Sequence, residues 1–298
     1  MQHIVHDKCP VCGSTRIRHD LKCRDHLVSG MIFPVDKCLD CGFGFTQRIP
    51  SGDVMGTFYK SENYISHTDT RRGIVNQLYH RVRSIMLTRK QKLIEQYSRE
   101  MQGKLLDIGC GTGYFIGHMQ QAGWEVHGAE PDPDARKLAE KRVGQPLSDV
   151  EELFRLAGDS VDVVTMWHVL EHVDQPAAYL EQIHSLLRAG GYFFAAVPNH
   201  LSYDARIYKE HWAAYDVPRH LWHFSPEAIR KLTESHGFRL VGKHRMPFDS
   251  FYVSILSEKN KDRSFGLFLG AINGGVSYLQ SLINIDKSSS LVYIFKKR

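Results

Sequence analysis

The segment Trp-His-Val-Leu-Glu-His-Val, residues 167–173, carries three side chains that could ligate a metal or move a proton. The spacing of His168, Glu171 and His172 matches the H-x-x-E-H pattern of one class of zinc peptidase. A peptidase needs the whole pattern on one helix, together with a third ligand. The β-branched run Val-Asp-Val-Val from residue 161 instead predicts a strand that ends at the first residues of the pattern. We therefore predict a ligand site at the C-terminal end of a parallel strand, and not a peptidase.

Two Cys-x-x-Cys-Gly motifs near the N-terminus have the spacing of zinc ligands. A gap of two residues lets both sulfurs of one turn face a single ion, and the following glycine allows a positive φ. We predict a structural zinc ion held by the four thiolates of Cys9, Cys12, Cys38 and Cys41; the alternative is four unligated thiols. Because four protein ligands leave no open coordination position, this zinc should stabilise the fold and do no chemistry.

A glycine-rich turn between a predicted strand and a predicted helix, Lys-Leu-Leu-Asp-Ile-Gly-Cys-Gly-Thr-Gly, indicates a bound cofactor. Gly109, Gly111 and Gly113 let the backbone approach a ligand closely, and the next helix offers free N–H groups at its N-terminus. Asp107 precedes the first glycine, and Glu130 ends the second predicted strand, 21 residues after that glycine. An acid in the position of Glu130 suits ribose hydroxyls, so we predict a cofactor with an adenosine-like end.

The order Leu-Asp-x-Gly-Cys-Gly-Thr-Gly closely resembles motif I of the class I S-adenosylmethionine-dependent methyltransferases, whose cofactor carries an ammonium group that suits the aspartate. The resemblance covers about residues 100–200 and includes Val-Leu-Glu-His-Val after the fourth strand. It implies an α/β fold, a Rossmann-like, doubly wound sheet of seven strands with an antiparallel last strand. It also implies that Glu130 binds the ribose and that Asp149 meets the adenine. Met166 and Trp167 would then line the cofactor cleft.

Four histidines are candidates for removing a proton from a methyl acceptor, because histidine can act as a base near neutral pH. His168 and His172 follow the fourth strand, where His172 could instead cap the start of the next helix. Ubiquinone-type O-methyltransferases have metal-binding acids near this point, but His168 replaces one acid here, so the resemblance does not carry a catalytic metal over. His220 and His223 lie in Pro-Arg-His-Leu-Trp-His-Phe-Ser, which resembles a stretch in one branch of the family that also has an N-terminal cysteine knuckle.

The segment 207–229 is dense in aromatic side chains and lies where methyltransferases often build the acceptor pocket. Trp212, Arg219 and Trp222 are predicted to contact the substrate, and Arg219 could bind a phosphate or carboxylate. A buried aromatic cluster with hydrogen-bonded histidines is the alternative. Many members of the similar branch belong to sugar or polysaccharide pathways, so the resemblance suggests a small, sugar-derived or nucleotide-linked acceptor. We slightly favour O-methylation over C- or N-methylation.

The chain is predicted to contain a zinc-ribbon-like module at 1–60, a helical connector at 61–102 and the methyltransferase domain at 103–298, with an insertion at about 247–288. Residues 71–92 contain seven Lys or Arg and no Asp or Glu, which fits a solvated helix face or a phosphate-binding face. An RNA methyltransferase is therefore one alternative, which the lack of an Asn-Pro-Pro-aromatic motif disfavours. A scaffold that binds the cofactor without turnover is another.

The composition is that of a globular protein, with 42% hydrophobic residues, 24% charged residues and a net charge of +5. The absence of an apolar signal segment, together with cysteines at metal-ligand spacing, favours the cytoplasm. Residues 265–285 carry no charge and are about long enough to cross a bilayer. Their Asn, Gln, Ser and Gly content favours a buried or lid helix, with peripheral membrane contact as the alternative. No feature of the sequence indicates an oligomeric state.

Overall fold

The computed structural model describes residues 3–59, 74–98, 102–262 and 265–298. The N-terminal module contains five strands and a short helix, which are β1 (His3–Ile4), β2 (Ile17–Arg24), β3 (Ile32–Cys38), β4 (Gly44–Thr46), β5 (Ile49–Pro50) and α1 (Asp53–Thr57). Strands β2, β3 and β4 pair antiparallel in chain order. The module is therefore a small meander that presents β4 at one of its edges.

The main domain begins with a long helix and then alternates strands with helices. Its first elements are α2 (Ile74–Ser98), β6 (Lys104–Ile108), α3 (Tyr114–Gln121), β7 (Glu125–Ala129), α4 (Pro133–Val143), β8 (Val161–Trp167), α5 (Pro176–Leu186) and β9 (Leu187–Pro198). The four strands are parallel in the order β7-β6-β8-β9. Central strands such as β8 are buried on both faces, as expected where helices cover a parallel sheet. The first part of the predicted connector, residues 61–73, lies outside the described residues.

Antiparallel strands complete the sheet. The remaining elements are α6 (Tyr203–Tyr208), β10 (Trp222–His223), α7 (Pro226–Glu234), β11 (Phe238–Arg245), α8 (Asp249–Asn260), α9 (Gly266–Ile283) and β12 (Ser290–Lys297). The sheet order is β11-β12-β9-β8-β6-β7, with β12 antiparallel to β9. This confirms the predicted Rossmann-like fold. Within the described residues, the seventh strand is reduced to one parallel bridge between Ser148 and Ala129, on the β7 edge.

The sheet of the N-terminal module includes a strand from beyond the predicted boundary at residue 60. Strand β10 pairs with β4, so that Trp222 lies opposite Phe45 and His223 lies opposite Gly44. A Cβ atom at Gly44 would be 3.0 Å from the Cβ of His223, so this close pairing depends on glycine. Phe43 also belongs to one hydrophobic cluster with residues of the central sheet. The module is therefore packed as an additional layer of the main domain.

The predicted insertion forms a hairpin of α8 and α9 between β11 and β12. Two glycines allow the helices to approach closely: a Cβ at Gly270 would lie 2.5 Å from the Cα of Ile255, and one at Gly274 would lie 2.6 Å from the Cα of Phe251. Helix α9 is not the buried helix that its composition predicted, since Ile283, for example, is 84% exposed. In the part of the chain that the structure describes, no helix is long and apolar enough to cross a membrane.

Candidate functional site

The glycine-rich turn connects β6 to α3 through backbone conformations that favour glycine. Gly109, Gly111 and Gly113 have φ values of 72°, 53° and 79°. A Cβ at Gly109 would come 2.4 Å from a methyl group of Val169, and one at Gly113 would come 2.8 Å from Ala139. Around a Cβ at Gly111, by contrast, no atom of the described chain lies within 4 Å. The turn therefore leaves room for a ligand beside its middle glycine.

Glu130, at the end of β7, faces this turn. Its carboxylate oxygens accept hydrogen bonds from the backbone N–H of Gly111 at 2.7 Å and of Asp132 at 3.0 Å. Burial raises the pKa of Glu130. Asp149 caps a short 3-10 helix and forms an ion pair of 2.8 Å with Arg136 of α4. Because Arg136 also donates to the backbone carbonyl of Glu130, it joins the two acids predicted to hold the ribose and the adenine.

A cleft of about 240 Å³ lies beside the turn, between α2 and the end of β8. Asp107 lines it and accepts a hydrogen bond from Thr165 at 2.5 Å. Burial raises the pKa of Asp107 to about 7 and lowers the pKa of Lys90 to about 8. The Lys90 ammonium lies 4.1 Å from the centre of the Trp167 ring. An acid and a base on opposite elements suit the ammonium and carboxylate of an amino-acid ligand, so the cleft fits the methionine end of S-adenosylmethionine.

Two lining residues, Arg83 and Lys90, were not predicted as site residues. Both belong to the basic run of the connector, and a separation of seven residues places them on one face of α2. That spacing was the available signal, and it indicates that this part of the basic run serves the cleft. Met166 was predicted to line the cleft with Trp167. Because neighbouring residues of a strand point to opposite faces, Met166 is instead completely buried in the core on the other side of β8.

His168 follows β8 with a φ of 59° and bridges two acids. Its Nδ1 lies 3.4 Å from Glu171 Oε1, and its Nε2 lies 3.2 Å from Oδ2 of Asp249, the first residue of α8. Burial alone would lower the pKa of His168, but the two carboxylates raise it to about 10. His168 is therefore an imidazolium ion at neutral pH, which makes it unsuited to the predicted role of general base.

Three further groups lie close together, two from the turn after β8 and one from the segment just before β10. Atoms of Glu171, His172 and His220 that could ligate a metal lie within 4.8 Å of one another. Glu171 is 1% exposed, and among the described residues its carboxylate has the 3.4 Å contact with His168 but no aligned hydrogen bond. Nδ1 of His172 lies 3.1 Å from the carbonyl of Arg219, and Nδ1 of His220 lies 2.8 Å from that of Ala214. Such contacts favour the tautomer whose Nε2 carries the lone pair that can accept a proton or a metal, although Nε2 of His220 also lies 4.0 Å from Asp216.

His172 does not cap a helix, contrary to the alternative considered from the sequence. The next helix, α5, begins four residues later at Pro176, without a side-chain cap. Burial, followed by the neighbouring His220, lowers the pKa of His172 to about 4. The two rings meet edge to face, with centres 4.5 Å apart. His172 is thus a neutral imidazole beside the Glu171 carboxylate.

The remaining acceptor-site predictions receive structural roles. Arg219 is 1% exposed, and its guanidinium donates to Asp216, to Asp25 of the N-terminal module and to the carbonyl of Phe58, so it has no surface for a substrate anion. His223 is also buried, with Nε2 3.0 Å from the Thr46 hydroxyl. These side chains join the N-terminal module to the segment after β9.

The two tryptophans predicted to contact substrate are core residues. Trp212 is 2% exposed and donates from its indole N–H to Asp204 at 2.9 Å. Trp222 is 3% exposed and donates to the carbonyl of Val173 at 2.6 Å. Their polar atoms are already satisfied inside the protein, so the alternative of a buried aromatic cluster describes them better.

The four cysteines of the N-terminal module converge, with ligand atoms within 4.8 Å of one another. The Sγ atoms of Cys9 and Cys41 are 3.5 Å apart, and those of Cys12 and Cys38 are 3.6 Å apart. Zn–S bonds of about 2.3 Å in a tetrahedron require sulfurs roughly 3.8 Å apart, so the geometry fits a zinc ion. All four ligands come from the protein, which fits a structural ion.

Comparisons with known proteins identify the family of the main domain. A family model described as a methyltransferase domain matches residues 79–243. The chain is 29% identical over 178 residues to a ubiquinone biosynthesis O-methyltransferase of Cereibacter sphaeroides, which covers 53% of this chain and 72% of that protein. It is 30% identical over 179 residues to the protein of that name from Dinoroseobacter shibae, with the same coverage. Against the human mitochondrial protein of that name, identity is 29%, covering 50% of this chain and 46% of the human one.

Solved structures show the same fold at low sequence identity. Magnesium protoporphyrin IX methyltransferase of Synechocystis, solved with bound S-adenosylhomocysteine, matches with a TM-score of 0.55 and 13% identity, covering 83% of this chain and all of that one. A putative sarcosine dimethylglycine methyltransferase of Galdieria sulphuraria matches with a TM-score of 0.52 and 13% identity, covering 70% and 86%. These likenesses establish the fold of the main domain.

Proposed function

The chain belongs to the family of methyltransferase domains, and from that premise we propose that it methylates a hydroxyl oxygen of a small-molecule acceptor. It is an S-adenosylmethionine-dependent methyltransferase. The bound cofactor supplies a methyl group that its positively charged sulfur makes electrophilic. Oxygen is the proposed target because relatives in two bacterial species are named O-methyltransferases. A sugar-derived or nucleotide-linked acceptor stays part of the proposal.

We assign the cofactor to the cleft and to the turn beside it. Glu130 would accept hydrogen bonds from the ribose hydroxyls, and Asp149 would meet the adenine, with Arg136 holding both acids in place. Asp107 and Lys90 would bind the ammonium and carboxylate of the methionine end. Trp167 would cover that end with its ring. The chain thus has a group of suitable charge for each part of the cofactor.

The acceptor site proposed here is the cluster of Glu171, His172 and His220. The observation that carries it is the buried Glu171 carboxylate, which contacts His168 at 3.4 Å but has no aligned hydrogen bond among the described residues. A buried acid without hydrogen bonds costs stability, of order 1–3 kcal/mol or more, unless a ligand satisfies it. The neighbouring His172 imidazole offers a further acceptor but no positive charge, since its pKa is about 4. An acceptor hydroxyl is the kind of donor that such a cluster lacks.

The residues of the cluster act mainly by holding the hydroxyl in place. Orientation of a bound acceptor can contribute roughly 7–11 kcal/mol toward lowering the barrier. Glu171 would accept the hydroxyl proton as the oxygen loses it, with His168 fixing the carboxylate from its other side. The same three donors fit a divalent cation, which would lower the pKa of a hydroxyl bound to it.

Replacing Glu171 with Gln tests the proposal, because glutamine keeps the shape and removes the charge. We expect the rate of methyl transfer to a panel of small hydroxylated compounds to fall about 100-fold or more. Mass spectrometry of the methylated products measures this rate. The affinity for S-adenosylhomocysteine, measured by calorimetry, should stay within a factor of about two. The matched control is Glu181→Gln, whose side chain is 73% exposed on α5.

Retained transfer in the Glu171 variant would contradict the acceptor site. Loss of S-adenosylhomocysteine binding along with activity would mean that Glu171 supports the cofactor side instead. Adding a chelator that leaves the cysteine site loaded, verified by zinc analysis, would show whether a second cation takes part.

A further inference from the structure

Helix α9 has its apolar and polar sides reversed relative to an ordinary surface helix. A helix of a globular protein normally turns large apolar side chains inward and polar ones outward. On α9, large apolar residues at spacings of four and seven point to solvent instead. The exposed members of this face, together with residue 265 before the helix, are Phe265 (77%), Leu267 (76%), Phe268 (66%), Ile272 (47%), Leu279 (59%), Leu282 (50%) and Ile283 (84%).

The inward side of α9 consists of small and polar residues. Gly270, Gly274, Ser277 and Ser281 are its buried positions. Ser277 donates a hydrogen bond to buried Asp204 at 3.0 Å, and Asn273 donates to the hydroxyl of Tyr208 at 2.9 Å. This side is fully used by contacts with α6 and α8. Close packing through small residues, with large apolar residues outside, is the arrangement of helices that face lipid.

The distribution of charge around α9 indicates that a lipid surface, and not another protein, covers its exposed apolar face. The residues from 265 to 285 contain no Asp, Glu, Lys or Arg. The apolar face therefore carries no charge that could pair with an opposite charge on another protein. The described residues that flank the helix, 259–262 and 286–287, contain three Lys and two Asp. Cations beside an apolar face suit a bilayer whose headgroups are anionic. Since α9 is not apolar enough to span a membrane, it would lie along the surface.

We propose that α9 is a membrane-surface anchor that places its apolar face in the headgroup region of a bilayer with anionic lipids. The partner helix α8 links this anchor to the site, because Asp249 at its start contacts His168. The anchor therefore holds the acceptor side of the domain close to the bilayer. The proposal depends on the surface of the hairpin alone, and it stands whether the methylated atom is oxygen or not.

Sedimentation of the full, zinc-loaded chain with lipid vesicles tests the anchor. We expect binding to phosphatidylcholine vesicles that contain phosphatidylglycerol, and weaker binding to phosphatidylcholine alone. The double variant Phe268→Gln and Leu279→Gln should lower the affinity for the mixed vesicles about tenfold or more, because two exposed apolar side chains are lost from the face. S-adenosylhomocysteine binding should be unchanged, which shows that the variant is folded.

The matched control is Ile32→Gln with Leu138→Gln, which removes two apolar side chains of similar exposure, 55% and 48%, from other parts of the surface. This control should bind vesicles as the parent does. Equal vesicle binding by all three proteins would overturn the proposal, as would failure of the parent to bind either vesicle. Light scattering could instead show that the parent is a dimer and the double variant a monomer. That result, without vesicle binding, would assign the face to a second copy of the chain and would also overturn the proposal.

Discussion

The cofactor half and the acceptor half of this domain are built in different ways. In the cofactor half, the glycine-rich turn, Glu130 and Asp149 all come from one strand-helix-strand stretch and its continuation, residues 104–149. In the acceptor half, contacts join distant parts of the chain. Arg219 binds Asp25, 194 residues away, and His168 contacts Asp249 on the inserted hairpin. The first half is thus mostly a local motif, to which α2 and the end of β8 add Lys90 and Trp167, while the second joins segments that are distant in the chain.

This difference predicts that damage to the two halves will show in different measurements. A local motif whose backbone is held by its own strand and helix should lose ligand affinity when a side chain is changed. An assembly of distant segments should lose stability, because each of its buried contacts also holds elements together. The predictions below test that separation.

The largest effect is expected from Arg219→Met. This change leaves Asp25, whose side chain is 0% exposed, and Asp216 without their shared cation. Removing one partner of a buried ion pair typically costs about 3–5 kcal/mol. We expect the free energy of unfolding in urea, measured on the zinc-loaded chain, to fall by that amount. Below the melting temperature, the affinity for S-adenosylhomocysteine should stay within a factor of about two.

A matched control for this variant is Arg230→Met. Arg230 also contacts two acids, but its side chain is 38% exposed on the surface of α7. Surface pairs contribute about 0–1 kcal/mol, so this control should change stability little. A large loss of cofactor affinity in Arg219→Met would contradict the separation of the two halves.

The next effect concerns the cofactor half. Glu130→Ala removes the acceptor of the Gly111 and Asp132 N–H groups and the group proposed to bind the ribose. Loss of hydrogen bonds to a charged group costs about 1.5–3 kcal/mol. We expect S-adenosylhomocysteine to bind roughly 10–100-fold more weakly by calorimetry. Glu125→Gln is the control, because Glu125 starts the same strand but its carboxylate is exposed. Equal affinity of both variants would remove Glu130 from the cofactor site.

The same difference explains how far the sequence could lead. The glycine-rich turn and its acids were recognisable because glycine conformations and strand ends leave a local pattern. Arg136 belongs to no recognised motif and was not predicted, although it contacts both Glu130 and Asp149. In the acceptor half, Arg219 looked like a ligand for an anion because its partner Asp25 lies in another module. Nothing near Arg219 in the chain indicates that pairing.

Burial of the histidines was equally hidden from the sequence. The side chains of His168, His172 and His223 have the same intrinsic pKa, and only their tertiary contacts make their pKa values differ in the folded protein. Two carboxylates make His168 cationic, while burial keeps His172 and His223 neutral. The Rossmann-like sheet was predictable because the glycine-rich turn resembles motif I of a family with that fold. The protonation state of a residue at the end of a strand was not, because it depends on residues such as Asp249 that arrive from an insertion.

The smallest predicted effect tests the contact that joins this insertion to the sheet. The pKa of His168 is raised from about 6.5 to about 10, so the folded state binds its proton more tightly than the unfolded state does. The resulting stabilisation is fully present below about pH 6.5 and is lost as the pH rises toward 10. In His168→Gln this contribution is absent at every pH. We therefore expect the variant to be less stable than the parent near pH 7, by about 1 kcal/mol after solvent screening, and the difference to shrink toward pH 10.

Urea unfolding of both proteins across that range measures the difference. His200→Gln is the control, since burial lowers the pKa of His200 to about 3 and this histidine stays neutral from pH 7 to 10. Its effect on stability should therefore be independent of pH in that range. If the parent and His168→Gln differ by a constant amount as well, His168 is not held as a cation between Glu171 and Asp249. The hairpin would then be tied to the sheet by packing and by hydrogen bonds such as that from Arg245 to the carbonyl of Ser281, and the acceptor half would lack its electrostatic link to the proposed membrane anchor.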